Sequence, residues 1–121
     1  MQFARESLQR HTIRRYDETT VWIADDAYKG SLAVSSDQIV TDWTCDSVES
    51  LDDALIGAIA ELNPEVVVIA TGSSVVFPAA PVLHPLMRAG IGVEVMNDGA
   101  AIRTFNVLLS EERRAVLALI R

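Results

Sequence analysis

Apolar and polar positions alternate in short runs through the first third of the chain. The runs are rich in β-branched and aromatic residues, and acids and serines separate them, which is typical of antiparallel strands joined by turns. The pattern predicts four strands, over residues 12–16, 20–24, 28–34 and 38–43. Gly30 interrupts the third run, which indicates a bulge or a close backbone approach at that point.

The pattern then changes to a helical period. Apolar residues recur at helical spacing over residues 51–62, and Ser50 or Asp52 can cap the start of this helix,. Pro64 ends it, because the residue before a proline avoids the helical region. The run Val66–Ala70 follows without polar alternation. Such a run predicts a strand buried on both faces, as in a parallel sheet.

The next segment has the order of a β-α-β crossover. A loop over residues 71–74 leads to a helix that begins near Pro81 and ends at Gly90, and the strand Gly92–Met96 follows. Proline in the first turn and glycine just past the last turn are common helix boundaries. A strand, a helix and a strand within about 30 residues form a right-handed crossover with parallel strands.

Two further helices complete the predicted order of elements. Asn97 or Asp98 can cap the first of them, and Ser110 can cap the second,. The apolar face of this last helix is predicted to carry Val116, Leu117 and Ile120.

These elements predict an α/β fold, a single three-layer domain over residues 1–121. It has a mixed β-sheet with N-terminal antiparallel strands, a C-terminal βαβ crossover and covering helices, and 121 residues are the size of one domain,. Residues 1–11 are predicted to form a mobile or helical arm. No apolar run approaches the ~18 residues of a membrane span, and the N-terminus lacks the apolar core of a secretory signal. We therefore predict a soluble, cytoplasmic protein.

The net charge is −7 at pH 7, and the acids are concentrated in one part of the chain. Residues 17–65 carry twelve of the seventeen acids and one lysine, whereas residues 1–16 carry four arginines and one acid. An acidic body repels a phosphate backbone, so we do not expect nucleic acid as a partner.

The edge where the two parallel strands end is the best candidate for a binding site. Ligands of open α/β sheets bind in the crevice at that edge, and the second loop opens a helix whose first N–H groups attract anions. We predict a pocket for a small anion or carbonyl group, formed by Thr71, Gly72, Ser73, Ser74, Asn97, Asp98, Arg103 and Asn106. The alternative is structural: the glycine turns the chain, the serines satisfy loop amides and Asp98 caps its helix.

Catalytic and metal-binding patterns are absent from the sequence. The serines at 73 and 74 lack the G-x-S-x-G pattern of a nucleophile, and the two histidines, His11 and His84, lack the spacing of zinc ligands,. Cys45 lies among acids, which raise the pKa of a thiol and lower its reactivity,. We expect no catalytic residue, no metal and no cofactor.

Three segments, residues 28–34, 65–72 and 92–114, resemble a known family of small domains. The most specific stretches are IGVEVM at residues 91–96 and RTFNVL at residues 103–108. The human members of that family are a mitochondrial respiratory complex I assembly factor and an adipogenesis-associated protein, and many bacterial and archaeal members are uncharacterised. The resemblance implies a three-layer α/β fold around a mixed sheet, and it supplies no catalytic residue.

The sequence departs from the family pattern at four positions. Asp98 replaces a common threonine, Ile102 a frequent cysteine, Phe105 a tyrosine and Glu112 a glycine. The loss of the cysteine and of the tyrosine hydroxyl weakens a redox or general-acid role, and it affects an assembly role much less.

The resemblance and the missing catalytic pattern favour a non-catalytic interaction or assembly domain. Its expected partners are proteins, including subunits of a respiratory complex. Trp22 and Trp43 are predicted core or interface anchors, and Trp43 is the predicted partner contact. Trp43 or the edge of the first strand could also pair with a second copy to form a homodimer. The alternative is a small-molecule binding protein or enzyme that uses the crevice, with Arg103 orienting an anionic or carbonyl group.

Overall fold

Over residues 11–121, which the computed structural model describes, the chain forms eight strands and three helices. The strands are β1 (Ile13–Tyr16), β2 (Thr20–Ile23), β3 (Asp26–Lys29), β4 (Leu32–Ser35), β5 (Ile39–Val40), β6 (Val66–Ala70), β7 (Gly92–Met96) and β8 (Ala115–Leu119). The helices are α1 (Asp53–Ala60), α2 (Ala80–Arg88) and α3 (Asp98–Ser110), and a 3-10 turn spans Val48–Ser50. The helices and strands predicted between residues 51 and 110 are confirmed.

The larger of two sheets has five strands in the order β5-β4-β8-β6-β7. β6 is parallel to both of its neighbours, β7 and β8, whereas β4 is antiparallel to β8 and to β5. Every residue of β4, β6 and β8 is buried. These strands are almost continuously apolar because both faces of the sheet are covered.

The last helix predicted from the sequence is wrong, because Ala115–Leu119 is the central strand of this sheet. The backbone of Glu112 has a φ of +61°, and this left-handed conformation follows the end of α3,. β8 then pairs with β4 on one side and with β6 on the other, where Leu117 lies opposite Val68. Like β6, β8 is a run without polar alternation, which is typical of a strand buried on two faces.

The predicted strand over residues 28–34 is two strands that belong to different sheets. β3 is the last strand of a three-stranded antiparallel sheet, in the order β1-β2-β3, and β4 belongs to the larger sheet. Gly30 forms the corner between them with a φ of +88°, which a residue without a side chain adopts freely,. The predicted strand over residues 38–43 is limited to Ile39–Val40.

Two apolar clusters, one on each face of the larger sheet, make the fold three layers deep. On one face, α3 and the smaller sheet bury Phe105 and Ile23. On the other face, α1, α2 and the segment before α1 bury Ile59, Leu86 and Trp43. This arrangement confirms the predicted α/β class, with a mixed sheet and covering helices.

The predicted N-terminal arm lies outside the described residues, except for His11. The Nδ1 atom of His11 is 2.7 Å from the carbonyl oxygen of Ser35, so this residue is held at the end of β4. Among the helices of residues 11–121, none is both long and apolar enough to cross a bilayer.

Candidate functional site

The carboxyl ends of β6 and β7 lie side by side, and the loops that follow them are bonded to each other. The N–H of Thr71 donates to the carbonyl of Met96 (3.0 Å). Gly72 and Asp98 form a reciprocal pair: the N–H of Gly72 donates to Oδ1 of Asp98 (2.9 Å), and the N–H of Asp98 donates to the carbonyl of Gly72 (2.8 Å). The β6 loop and the start of α3 are therefore one connected unit.

Asp98 also binds a buried guanidinium. Nη2 of Arg121 donates to Oδ2 of Asp98 at 3.1 Å, and the side chains of Arg121 and Asp98 are 5% and 14% exposed. Within residues 11–121, no acceptor lies within hydrogen-bond distance of Nε or Nη1 of Arg121. Because a guanidinium has five N–H donors, Arg121 has donor capacity beyond its ion pair.

A crevice opens beside this unit as two adjoining cavities of about 330 and 350 Å³. Glu18, Gly72 and Asp98 line both cavities. The first cavity is also lined by Tyr16, Asp17, Ser73, Asn97 and Gly99. The second cavity is also lined by Thr19, Lys29, Gly30, Ile120 and Arg121. The crevice therefore lies between the predicted sheet edge and the turn that joins β1 to β2.

This β1–β2 turn was not predicted to be part of the site. Oδ1 of Asp17 accepts hydrogen bonds from the N–H groups of Thr19 and Thr20, both at 2.9 Å. These two bonds, and to a smaller extent the charge of Arg121, hold the pKa of Asp17 below its usual 3.8. The residues predicted the turn, but no motif in them indicated that the turn packs at the sheet edge.

Several of the predicted ligand groups are already bonded within the protein. The hydroxyl of Thr71 donates to the carbonyl of Ser74 (2.7 Å) and accepts from the N–H of Val76 (3.1 Å). Oδ1 of Asn97 accepts from the N–H of Ala100 (2.9 Å) and caps α3. These bonds agree with the alternative that these polar groups stabilise the loop and the start of α3.

Asn106 lines neither cavity. Its side-chain amide accepts from the N–H of Ile13 (2.9 Å) and donates to the carbonyl of Ile13 (3.0 Å), which joins β1 to α3. Arg103 is exposed on α3 and also lines neither cavity. A Cβ added to Gly99 would lie 3.4 Å from Nη1 of Arg103 and 2.8 Å from the hydroxyl of Tyr16. Gly99 therefore leaves the space that the Tyr16 hydroxyl occupies.

The crevice is lined by charged side chains of both signs. It is lined by two cationic side chains, Lys29 and Arg121, and by three carboxylates, Asp17, Glu18 and Asp98. The excess of carboxylates repels an anion, whereas the spare donors of Arg121 attract one. Within residues 11–121, no three His, Cys, Asp or Glu side chains converge as metal ligands would. The anion pocket stays a prediction.

Trp43 lies in the core, so the expectation that it is exposed as a partner contact is wrong. Only 2% of Trp43 is exposed, and its indole Nε1 donates to the carbonyl of Leu55 (3.0 Å). Cys45 is 1% exposed. Burial raises the pKa of the Cys45 thiol, and the charges of Asp46 and Asp52 add to the effect, so the thiol is unreactive,.

Trp22, in contrast, is partly exposed on the outer face of the smaller sheet. Its neighbours Val21 and Ile23 are buried, so the indole points to the opposite face,. Arg15 lies opposite Trp22 across β1 and β2, and the guanidinium carbon is 4.1 Å from the centroid of the indole ring. This is the geometry of a cation–π interaction.

A second exposed surface, also not predicted from the sequence, covers the loop before α2 and the first two residues of α2. Val75, Val76 and Phe77 are 44%, 40% and 74% exposed. We call residues 75–81 the apolar segment, because none of the seven carries a polar side chain. Only Pro78 among them is buried. The sequence signal for this exposed surface is the apolar run itself, because its two prolines disfavour a buried strand.

The sequence and the fold both match a known family. Residues 13–120 match the pattern of a family described as "Protein of unknown function (DUF498/DUF598)". The chain belongs to the DUF498 family. A Xanthomonas campestris protein whose structure was determined by NMR has a similar fold, with a TM-score of 0.81 and 36% identity, over 89% of this chain and 82% of that one. The family resemblance seen in the sequence is thereby confirmed.

Two relatives of this DUF498 chain carry names that refer to a role or to a location. A zebrafish protein named "NADH dehydrogenase [ubiquinone] 1 alpha subcomplex assembly factor 3" is 43% identical over 74 residues, which are 61% of this chain and 41% of that protein. The match thus spans less than half of the zebrafish protein. A Francisella tularensis protein named "13 kDa major membrane protein" is 28% identical over 87 residues, 71% of each chain.

Proposed function

We propose that this DUF498 chain is a non-catalytic interaction domain that assists the assembly of a protein complex at a membrane. The name of the zebrafish relative supports the assembly role, and the name of the Francisella relative supports the membrane. In this proposal the chain acts in the cytoplasm at the membrane surface, and its partners include respiratory-complex subunits.

The observation that carries the proposal is the stacked pair of Arg15 and Trp22. Tryptophan and arginine are among the residues that contribute most of the binding energy in protein interfaces. Trp22 lies opposite Ala27 on β3, which has a small side chain. The stacking holds the guanidinium of Arg15 in place before binding. Less side-chain entropy is therefore lost when a partner binds.

The absence of catalysis is supported by the way polar groups are used at the sheet edge. Gly72 and Asp98 bond to each other, and Thr71 and Asn97 hold their own loops. Groups bonded in this way hold the loop backbone, so these four residues already use these donors and acceptors within the protein.

Affinity capture of the tagged chain tests this proposal, using detergent-solubilised membranes of its own source and mass spectrometry. Wild type should recover subunits of a membrane-bound complex, and Trp22→Ala should reduce the recovery by roughly tenfold or more, as expected for a hot-spot aromatic residue. Val107→Ala is the matched control, since Val107 is 54% exposed on α3. Recovery of the chain alone from wild type would contradict the proposal. If Trp22→Ala recovers as much of these subunits as wild type does, Trp22 is not part of the contact with the partner.

A second candidate function, binding of a small anion in the crevice, is favoured by one observation. Nε and Nη1 of Arg121 have no acceptor within residues 11–121, although the side chain lines the second cavity. Titration of the chain with acetate and with inorganic phosphate, followed by calorimetry, tests it. Binding that Arg121→Gln abolishes would support this candidate, whereas heats equal to those of dilution for both anions would exclude it.

A further inference from the structure

The first part of the apolar segment lies in a loop that is held on both sides of Phe77. On one side, the Thr71 hydroxyl bonds to the carbonyl of Ser74 and to the N–H of Val76. On the other side, Pro78 is buried. Phe77 lies between these anchors with 74% of its surface exposed. A contiguous exposed run of apolar residues marks an interaction site.

The apolar segment lies in the part of the chain that carries no negative charge. There is no acid between Glu65 and Glu94, and Arg88 is the only residue between them that is charged at pH 7. His84 and Arg88 are exposed on α2, the helix that the segment leads into. Although the whole chain has a net charge of −7, an anionic surface meets no like charge on this stretch.

A lipid surface fits the segment better than a groove on a protein. A stable protein interface takes about 20–30 residues from each side and has a polar rim. The segment supplies six exposed residues, none with a polar side chain. A bilayer requires only that apolar side chains reach the acyl boundary while basic side chains reach the headgroups.

We infer that the apolar segment inserts into the surface of an anionic lipid bilayer, with Phe77 deepest and Arg88 near the headgroups. The inference rests on the proposed function only in placing the chain at a membrane. It assigns lipid to residues 75–81 and leaves the protein partner at Trp22, on the outer face of the smaller sheet.

Co-sedimentation with lipid vesicles tests the inference. Two compositions are used: phosphatidylcholine alone, and phosphatidylcholine mixed with phosphatidylglycerol. The wild-type chain should sediment with the mixed vesicles more than with the neutral ones, because only the former attract Arg88. Phe77→Ser should weaken binding roughly tenfold, since the apolar area of one aromatic ring is lost from the contact. Val107→Ser, which alters an exposed valine on α3, should bind like wild type.

Depth of insertion gives an independent readout. In Phe77→Trp, added vesicles should shift the fluorescence to shorter wavelength, and brominated lipids should quench it. Wild type supplies the background from Trp22 and Trp43, and Val107→Trp should show neither change.

The outcomes separate this inference from the proposed function. The lipid contact is supported if Phe77→Ser no longer binds vesicles but still captures protein partners. It is also supported if the wild-type chain captures no protein but binds vesicles in a way that depends on Phe77. Wild type that stays in the supernatant with both kinds of vesicle overturns the inference. It is also overturned if Phe77→Ser binds vesicles like wild type. Loss of protein capture or of self-association in that variant would then assign the segment to a protein partner or to a second copy.

Discussion

Asp98 joins three parts of the molecule through one residue. Its backbone begins α3, Oδ1 accepts from Gly72 in the β6 loop, and Oδ2 accepts from Arg121 after β8. The threonine that the family resemblance leads us to expect at this position has one hydroxyl, which cannot balance the charge of a buried guanidinium. Asp98 and Arg121 therefore act as a pair in this chain.

Asp98→Asn should lower the free energy of unfolding by about 3 kcal/mol. The amide oxygen can still accept from Gly72, but Arg121 loses its counter-charge while it stays buried. Urea unfolding measures the difference. Asp42→Asn, at an exposed carboxylate outside any helix or strand, should change stability by less than about 0.5 kcal/mol. Equal effects of the two substitutions would show that Arg121 does not depend on Asp98.

The helices and the β-α-β unit could be predicted because their signals are local. The period over residues 51–62, the cap at Asp52 and the continuous apolar run of β6 each lie within one element,. β8 is also a continuous apolar run, but such a run fits a buried helix as well as a buried strand, and its alanines and leucines in isolation favour a helix. Ala115–Leu119 is a strand because β4 and β6 pair with it on both sides.

The candidate site also has one part that could be predicted from the sequence and one part that could not. Its edge, with Gly72 and Asp98, followed from the two parallel strands and was predictable. Its opposite wall depends on the smaller sheet, which Asn106 joins to α3 through Ile13. A single asparagine on a helix surface gives no sign of its partner, so the contribution of residues 16–19 could not be predicted.

The turn between α3 and β8 provides a test of backbone strain. A left-handed conformation costs a residue with a side chain roughly 1 kcal/mol, and Glu112 has a φ of +61°. Glu112→Gly should therefore raise the free energy of unfolding by about 1 kcal/mol, and glycine is also the residue that the family resemblance leads us to expect there. The adjacent Glu111 has a φ of −89°, so Glu111→Gly should lower stability. Chemical denaturation distinguishes the two, and a stabilising Glu111→Gly would contradict the argument.

Glu65 links the start of β6 to the start of β8. Its contacts predict that the stability of the protein depends on pH. The N–H of Arg114 donates to its carboxylate (2.9 Å), and Nε of Arg113 lies 3.4 Å away. The Arg114 bond first, and Arg113 second, hold the pKa of Glu65 below its usual 4.5. The resulting stability is complete above that usual pKa and is lost as pH falls through the lower, folded-state pKa. Urea midpoints should fall less with acidification in Glu65→Gln than in wild type, and superimposable pH profiles would refute this role.

Charge is separated along the chain, and this affects the stability of the whole protein. Residues 30–65 carry eight acids and no basic residue, whereas residues 66–93 carry no acid. Mutual repulsion of the acids destabilises the compact state, and salt at about 0.1 M screens it beyond about 10 Å. Adding sodium chloride up to that concentration should therefore raise the thermal midpoint. A midpoint that falls would mean that screened ion pairs outweigh the repulsion.

The central position of β8 also governs the order of events while the ribosome makes this protein. β4 and β6 are both synthesised before β8, yet they are not neighbours, because β8 lies between them. Until β8 leaves the exit tunnel, each of these apolar strands has an unpaired edge that can join another chain. The nascent protein is thus most exposed to misassembly, and most dependent on chaperones, just before the strand that closes its sheet emerges.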